Sequence, residues 1–242
     1  MSSVYTPEFD PETGKPLRKV QSFVRREGRL TRGQERALAE LWPQFGIEYR
    51  PQPVSSAALF GHDAVVSRAL VVEIGFGMGK SLLAMAQAEP EKDFLGIEVH
   101  APGVGALLMG IEEQSIRNLR VMRHDAVEVL TQMLPDASID RLQLYFPDPW
   151  HKKKHHKRRI VQADFLQLLA RKLKPGGLFH FATDWQPYAE WTLELVRAEP
   201  LLQNLSPAGD YVPQPAWRPD TKFEARGERL GHGVRDLLCR RI

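Results

Sequence analysis

The chain has 242 residues, of which 43% are apolar and 26% are charged, and its formal net charge is +3 at pH 7. This composition supports one large folded domain and excludes a wholly disordered or collagen-like chain. A disulfide-stapled fold is excluded as well, because a single cysteine, Cys239, cannot form an intrachain disulfide. We expect a cytoplasmic protein without membrane contact, because no apolar run reaches the length of a membrane span and the first residues lack an apolar signal segment.

The charge is concentrated in two basic segments. Residues 151–159 contain six lysines and arginines and no acid, and residues 15–36 contain eight such bases against two acids. Each segment therefore carries a charge of +6, which leaves the rest of the chain with a net charge of −9. Two basic segments on an acidic body are typical of a protein that binds a polyphosphate partner.

The N-terminal part precedes any regular alternation of strands and helices. Residues 1–30 are polar and basic and are predicted to form a flexible arm. Residues 31–68 are predicted to form an N-terminal helix and a linker, because Thr31 and Gln34 fit a capping box ahead of an apolar stripe. Residues 69–242 are predicted to form the main domain.

Within the main domain, short β-rich runs alternate with helical patterns. The predicted strands are 69–74, 93–99, 119–123, 139–146 and 178–183, with a final strand near 233–240. The predicted helices are 80–88, 102–115, 126–133, 160–173 and 187–198, the fourth of them ended by Lys174-Pro175-Gly176-Gly177. This alternation predicts an α/β fold with a doubly wound, mostly parallel sheet, helices on both faces and an antiparallel C-terminal strand.

The first predicted strand ends in a glycine-rich turn, Glu73-Ile74-Gly75-Phe76-Gly77-Met78-Gly79. Alternate glycines let the chain turn tightly and let a ligand lie against bare backbone near the start of a helix. A dinucleotide fingerprint would place its third glycine at position 80, which is Lys80 here. The pattern is instead the form used by enzymes that bind S-adenosylmethionine. A glycine-rich turn without a ligand is the alternative.

Two acids follow the next two predicted strands. Glu98 is placed to accept hydrogen bonds from the ribose hydroxyls of an adenine nucleoside, which NAD would require equally. Asp125 is placed to accept from an adenine amino group, or alternatively to cap the helix that begins at Ala126. In an open α/β sheet these positions meet at the carboxyl edge of the strands, so the acids favour a nucleoside site there.

The fourth predicted strand ends in Phe146-Pro147-Asp148-Pro149-Trp150. Two prolines restrict the backbone around one carboxylate, and the aromatic side chains offer a stacking surface beside it. We therefore predict that Asp148 faces the ligand, although an aspartate that only caps a loop between prolines is the alternative.

A basic run follows at once, His151-Lys152-Lys153-Lys154-His155-His156-Lys157-Arg158-Arg159. A merely solvated helix face would normally contain acids as well, so we interpret the run as a phosphate-binding surface. Its three histidines do not indicate a metal site, because their cationic neighbours would repel a metal ion.

Together these motifs resemble the bacterial tRNA (guanine-N7-)-methyltransferase family, from about Phe23 to the C-terminus. Phe-Pro-Asp-Pro-Trp followed by Lys- and His-rich residues is especially typical of that family. The resemblance implies a Rossmann-like class I methyltransferase that uses S-adenosylmethionine to form N7-methylguanosine at guanine 46, in the tRNA variable loop.

The resemblance also implies roles for individual residues. Asp148 would be the catalytic residue. The implied cofactor-binding residues are Glu73, Gly75, Gly77, Gly79, Glu98, Asp125 and Asp148. The implied substrate-binding residues are Lys152, Asp184, Thr221, Lys222, Phe223 and Glu224. The implied RNA-binding residues are Lys154, His155, His156, Lys157, Arg158 and Arg159.

Several alternatives remain open at this point. A methyltransferase for another RNA site or another guanine atom would share nearly every motif. A non-catalytic nucleoside- and RNA-binding protein would not need all four acids together, and an NAD dehydrogenase has no use for the basic run. The expected partner is tRNA, with no metal and no membrane, and the chain is expected to be a monomer or a homodimer.

Overall fold

The computed structural model describes residues 22–23, 28–63, 67–220 and 233–242. Its strands are β1 (Leu70–Ile74), β2 (Asp93–Ile97), β3 (Leu119–Met122), β4 (Ile139–Tyr145), β5 (Leu173–Thr183), β6 (Leu202–Asn204) and β7 (Arg235–Arg241). They form one sheet in the order β3-β2-β1-β4-β5-β7-β6. Strands β1 to β5 pair in parallel, whereas β7 is antiparallel to both β5 and β6. The predicted doubly wound sheet with an antiparallel C-terminal strand is confirmed.

Helices cover both faces of this sheet. They are α1 (Arg32–Glu40), α2 (Trp42–Phe45), α3 (Ser56–Phe60), α4 (Lys80–Ala88), α5 (Ala101–Glu113), α6 (Ala126–Glu128), α7 (Ala163–Lys172) and α8 (Gln186–Ala198). Apolar side chains of α1, α4 and α5 form the core on one face, and those of α6, α7 and α8 form the core on the other. Every residue of β1 and β2 is buried, as expected for parallel strands covered on both sides.

The predicted capping box of α1 is present. The Thr31 hydroxyl accepts from the Gln34 backbone N–H at 3.3 Å, and the Gln34 side chain accepts from the Thr31 backbone N–H at 2.9 Å. Gln34 also donates to the carbonyl of Pro102 at 3.0 Å, which fixes the start of α1 against α5. The cap therefore both begins the helix and docks it.

Several details of the chain differ from the sequence prediction. The predicted linker at 47–68 contains α3, which Ser55 caps. The predicted helix at 126–133 is α-helical only to Glu128 and continues as a π-helical turn, Val129–Met133. Strand β6 was not predicted, because its three residues are too few to show a pattern.

Residues 174–177 were predicted to end a helix and instead belong to β5. Helix α7 does end at Lys172, but the strand begins at the next residue. The register shifts here, since Ile139 pairs with Leu173 and Arg141 with Leu178. Gly176, at φ +79°, allows the chain to bulge without leaving the sheet.

The topology brings the predicted site residues to one edge. Strands β1 to β5 are parallel, so all five end at the same side of the sheet. Strand order reverses between β1 and β4, where ligands of open α/β sheets bind. None of the helices in the described residues is long and apolar enough to cross a membrane.

Candidate active site

The turn after β1 combines three glycines in the left-handed region, with φ of +73° at Gly75, +57° at Gly77 and +76° at Gly79. A Cβ at Gly75 or Gly77 would meet no atom within 4 Å, so these two positions border open space. A Cβ at Gly79 would lie 2.6 Å from Leu107, so this glycine lets α4 pack against α5. Two of the three predicted glycines thus face the space for a ligand, and the third serves helix packing.

A cleft opens beside this turn at the carboxyl edge of the sheet. Its volume is about 210 Å³, and it opens to solvent. Its lining comes from the ends of four neighbouring strands and from the N-terminal segment: Gly75 after β1; Glu98, Val99 and His100 after β2; His124 and Asp125 after β3; Phe146, Pro147 and Asp148 after β4; and Ser22 and Phe23. The structure therefore brings Gly75, Glu98, Asp125 and Asp148 together in one cleft.

Glu98 is buried and holds the floor of the cleft together. One carboxylate oxygen accepts from the backbone N–H of Gly77 at 3.0 Å. The other accepts from Val99 at 2.7 Å and His100 at 3.1 Å. A carboxylate offers about four lone-pair sites, so Glu98 keeps capacity for a further donor while it fixes the glycine turn.

Asp125 caps a helix and also lines the cleft. Its Oδ1 accepts from the Val127 backbone N–H at 2.9 Å and so caps α6. The residue also lines the cleft. Capping engages one oxygen of the carboxylate, and the predicted ligand contact would need only the other.

Glu73 lies two residues before the glycine turn and is 3% exposed. Within the described residues its Oε2 atom has no hydrogen-bond partner. Burial raises the pKa of its carboxyl group to about 8, while nearby Arg141 lowers it and Glu98 raises it. An orphaned buried carboxylate oxygen fits a cationic group, such as the ammonium of an amino-acid ligand.

Asp148 sits on a turn whose ends have unusual backbone conformations. Phe146 and Trp150 adopt φ of +48° and +47°, which bulky side chains rarely do. Asp148 between them is exposed and borders the cleft. Strain of this kind concentrates at functional sites, where the surrounding structure enforces it.

A ring contact joins this turn to the end of β5. The His151 ring meets the Trp185 ring edge-on, with centroids 4.3 Å apart. Lys152 follows His151, and Asp184 precedes Trp185, and both of these predicted substrate residues are exposed. The loops that carry them are therefore neighbours at the edge of the cleft.

The basic run forms a 3-10 helix, Lys153–Arg158, on an aromatic support. The guanidinium of Arg158 lies 4.1 Å from the centre of the Trp150 ring. The His155 and His156 rings contact Trp150 and Trp191. Lys152, Lys153, Lys154 and Lys157 are exposed, so their ammonium groups face solvent.

Arg159 differs from the rest of the run. It is 2% exposed, its guanidinium stacks on Tyr188 and Trp191, and its Nε donates to the carbonyl of Pro149 at 2.9 Å. The structure therefore places it under the run, as support for the Asp148 turn. The spacing of basic residues gave no signal of this, because burial depends on the aromatics of α8.

Several residues that line the cleft were not identified as site residues from the sequence, among them Ser22, Phe23 and His124. Ser22 and Phe23 line it, and the Ser22 carbonyl accepts from the Trp150 indole N–H at 3.3 Å. His124 also lines it, stacked on Tyr49 at 3.8 Å and paired with Glu128 at 2.8 Å. Trp150 and Tyr49 lie far in sequence from Ser22 and His124, so no local pattern marks these two contacts. The predicted substrate residues Thr221, Lys222, Phe223 and Glu224 lie outside the described residues.

Comparison with known proteins identifies the family. A family model described as a putative methyltransferase matches residues 67–237. A tRNA (guanine-N(7)-)-methyltransferase of Cronobacter sakazakii is 59% identical over 241 residues, covering 100% of this chain and 99% of the relative. The chain belongs to the tRNA (guanine-N(7)-)-methyltransferase family. A family member from Salmonella typhimurium is 58% identical, again over 100% of this chain and 99% of the relative.

Solved structures place this family member in the wider methyltransferase fold. The 16S rRNA methyltransferase KamB aligns over 81% of this chain and 98% of its own, with a TM-score of 0.53 and 15% identity. A SAM-dependent methyltransferase from Aquifex aeolicus aligns over 72% of this chain and 82% of its own, with a TM-score of 0.50 and 16% identity. At this identity the likeness concerns the fold alone. In the part of the chain that the structure describes, no group of three or more His, Cys, Asp or Glu residues could hold a metal ion.

Proposed function

We propose that this chain transfers the methyl group of S-adenosylmethionine to N7 of a guanine in tRNA, and that the guanine is residue 46 of the variable loop. The observation that carries the proposal is a single cleft lined by Gly75, Glu98, Asp125 and Asp148, with an exposed basic run three residues beyond Asp148. Relatives 58–59% identical over the full chain are tRNA (guanine-N(7)-)-methyltransferases, which supports the same proposal.

S-adenosylmethionine supplies an electrophilic methyl group on a sulfonium centre. The Gly75 and Gly77 backbone leaves open space for its amino-acid part, and the orphaned oxygen of Glu73 suits its ammonium group. Glu98 would accept from the ribose hydroxyls and Asp125 from the adenine amino group. The nucleoside would then lie across the ends of β2 and β3, with its reactive end towards β4.

The target atom needs little chemical activation. Guanine N7 has an in-plane lone pair and carries no proton, so the reaction requires no general base. Asp148 would accept from guanine N1–H or the 2-amino group and offset the positive charge that develops on the ring. Phe146 or Trp150 would stack on the base. The protein contributes chiefly position and electrostatics.

The exposed lysines would hold the tRNA backbone. Lys152, Lys153, Lys154 and Lys157 project from the run beside the cleft. Contacts of this kind fix the register of a nucleic acid without reading its sequence. They would hold the phosphates so that one guanine reaches the cleft.

The test is incubation of the full chain with labelled S-adenosylmethionine and unmodified tRNA, followed by cleavage chemistry specific for N7-methylguanosine. We expect one labelled nucleoside, N7-methylguanosine, at position 46. Label on another guanine atom or at another position would contradict the proposal and favour a methyltransferase for a different RNA site. Binding of both ligands without transfer would favour a non-catalytic protein.

A further inference from the structure

Beneath the Asp148 turn, a chain of polar side chains crosses the sheet in a buried layer. Tyr145 on β4, His180 on β5 and Asp236 on β7 are 8%, 0% and 3% exposed. Tyr145 Oη lies 2.8 Å from His180 Nδ1, and His180 Nε2 lies 2.7 Å from Asp236 Oδ1. We call these three residues, with Arg218 and Trp217, the His180 network.

The network fixes the protonation state of its central histidine. The Trp217 indole N–H, which can only donate, points at His180 Nδ1 over 3.1 Å. Nδ1 therefore accepts, and Nε2 carries the proton that it donates to Asp236. Burial also lowers the pKa of His180, which agrees with a neutral imidazole.

Arg218 adds a buried ion pair to the network. Its Nε and Nη2 donate to the two oxygens of Asp236 at 2.7 and 2.9 Å, and the arginine is 2% exposed. A bidentate pair of this kind is directional as well as strong. It fixes the residues of the connection after β6 against the face of β5 and β7.

Two contacts connect the network to the Asp148 turn. Tyr145 directly precedes Phe146, the residue whose φ of +48° begins the turn. The Arg218 guanidinium also lies 5.9 Å from the centre of the Phe146 ring. The Phe146 backbone is held by its N–H, which donates to the Ala182 carbonyl at 2.8 Å. The network thus reaches Phe146 through the chain at Tyr145 and through space at Arg218.

We propose that the His180 network positions Phe146 and, through it, the carboxylate of Asp148, so that Tyr145, His180, Asp236 and Arg218 act as positioning residues for methyl transfer. The inference rests on the proposed function of Asp148. A buried polar network is costly unless every member is satisfied, and here it lies directly beneath a strained turn that borders the cleft.

The test compares isosteric changes of two buried aspartates that each pair with an arginine and a histidine. Asp236→Asn removes the charge that Arg218 and His180 share. Asp93→Asn is the matched control, since Asp93 is 1% exposed at the start of β2 and pairs with Arg68 at 2.8 Å and His62 at 3.1 Å, away from the turn. Tyr145→Phe is a milder second variant, because it removes only the hydroxyl next to the turn and keeps the ring.

We expect Asp236→Asn and Tyr145→Phe to lower kcat about tenfold, with the KM for tRNA and the affinity for S-adenosylhomocysteine within about twofold of the wild type. Asp93→Asn should retain the wild-type kcat per folded molecule. Wild-type kcat in folded Asp236→Asn and Tyr145→Phe proteins would overturn the inference. A rise in the KM for tRNA without a fall in kcat would also overturn it, because the network would then act on tRNA binding.

Hydrogen exchange at the Phe146 amide separates this inference from the proposed function. We expect faster exchange in Asp236→Asn and Tyr145→Phe than in Asp93→Asn, whichever reaction the enzyme performs. If the wild type methylates another atom but the amide responds in this way, the proposed function is wrong and the positioning role stands. If the amide exchanges equally in all three variants, the positioning role is wrong.

Discussion

Asp148 is an exposed carboxylate whose backbone is constrained on both sides. Its position depends on Phe146 and Trp150, which hold left-handed conformations at a cost of order 1–3 kcal/mol each. Arg159 donates to the carbonyl of Pro149 from below. A group that offsets developing charge works through such preorganisation, since it need not move during the reaction.

Asp148→Asn tests the electrostatic part of that role. The amide keeps the size of the side chain but loses the charge, so we expect kcat to fall about 10²-fold, as for loss of one preorganised electrostatic group. Isothermal titration with S-adenosylhomocysteine should give a wild-type affinity. A variant that binds both ligands and methylates at the wild-type rate would remove Asp148 from the chemistry.

Glu73 predicts a dependence of stability on pH. Its pKa is about 8 in the folded chain against an ordinary value of 4.5, so its contribution is full below about 4.5 and is lost as pH rises through 8. Glu73→Gln has no such loss. Thermal unfolding without ligand should therefore show that the melting temperature of Glu73→Gln rises relative to that of the wild type between pH 6 and pH 9. A constant difference between the two melting temperatures would contradict the assignment.

The same side chain predicts a dependence of ligand affinity on pH. An ammonium group needs the ionised carboxylate, so binding should draw a proton off Glu73 and tighten as pH rises towards 8. Glu73→Gln should bind S-adenosylhomocysteine about tenfold more weakly at pH 8 and release no proton. Calorimetry in buffers of different ionisation enthalpy measures that release. Equal proton release in both proteins would place the ammonium elsewhere.

At the scale of elements, the strands, their ends and most of the helices were predictable, whereas the irregular stretches were not. All five parallel strands begin or end within a few residues of the predicted limits, because apolar β-rich runs and glycine turns are local signals. The bulge at 174–177, the π-helical turn and β6 depend on neighbouring strands and helices. Site residues that end strands were found for the same reason, and Ser22, Phe23 and His180 were not.

The basic run shows what sequence alone cannot separate. Six lysines and arginines within nine residues look equivalent, yet Lys154 is exposed and Arg159 is buried on Tyr188 and Trp191. The aromatics that bury Arg159 lie about 30 residues further along the chain. Charge on a short segment therefore predicts a phosphate-binding surface, but the fold decides which charges belong to it.

Lys154→Gln tests the exposed part of the run. Loss of one phosphate contact should weaken tRNA binding and reduce the slope of log affinity against log salt by about 1. Arg240→Gln is the matched control, because Arg240 is exposed on β7 opposite Leu178, at the end of the β5–β7 pairing remote from Thr183 and the cleft. Equal salt slopes in Lys154→Gln and Arg240→Gln would mean that the basic run is exposed to solvent without contacting phosphates.

Arg159→Gln tests the buried part. We expect a loss of about 3 kcal/mol in the free energy of unfolding, since the stacked guanidinium and its hydrogen bond to Pro149 disappear. The salt slope of tRNA binding by the folded protein should stay at the wild-type value. If Arg159→Gln instead reduces the salt slope of tRNA binding and leaves the stability in denaturant unfolding unchanged, Arg159 belongs to the RNA-binding surface.

At the scale of the whole molecule, the proposed nucleoside site and the proposed base site lie at the ends of different strands. The ends of β1, β2 and β3 carry Gly75, Glu98 and Asp125, which we propose bind the nucleoside, and the ends of β4 and β5 carry Asp148 and Asp184, which we propose bind the base. The basic run continues from β4 on the base side. A net charge of only +3 thus conceals a positive surface next to the proposed transfer site.

The most direct test of the account replaces the attacking atom. A tRNA carrying 7-deazaguanine at position 46 keeps the shape and the N1 and 2-amino groups of guanine but has a C–H where N7 would be. We predict that the enzyme binds this tRNA with wild-type affinity and transfers no methyl group to it, while the matched unmodified tRNA is methylated. Methylation of the 7-deaza tRNA at the normal rate would contradict transfer to N7 of guanine 46.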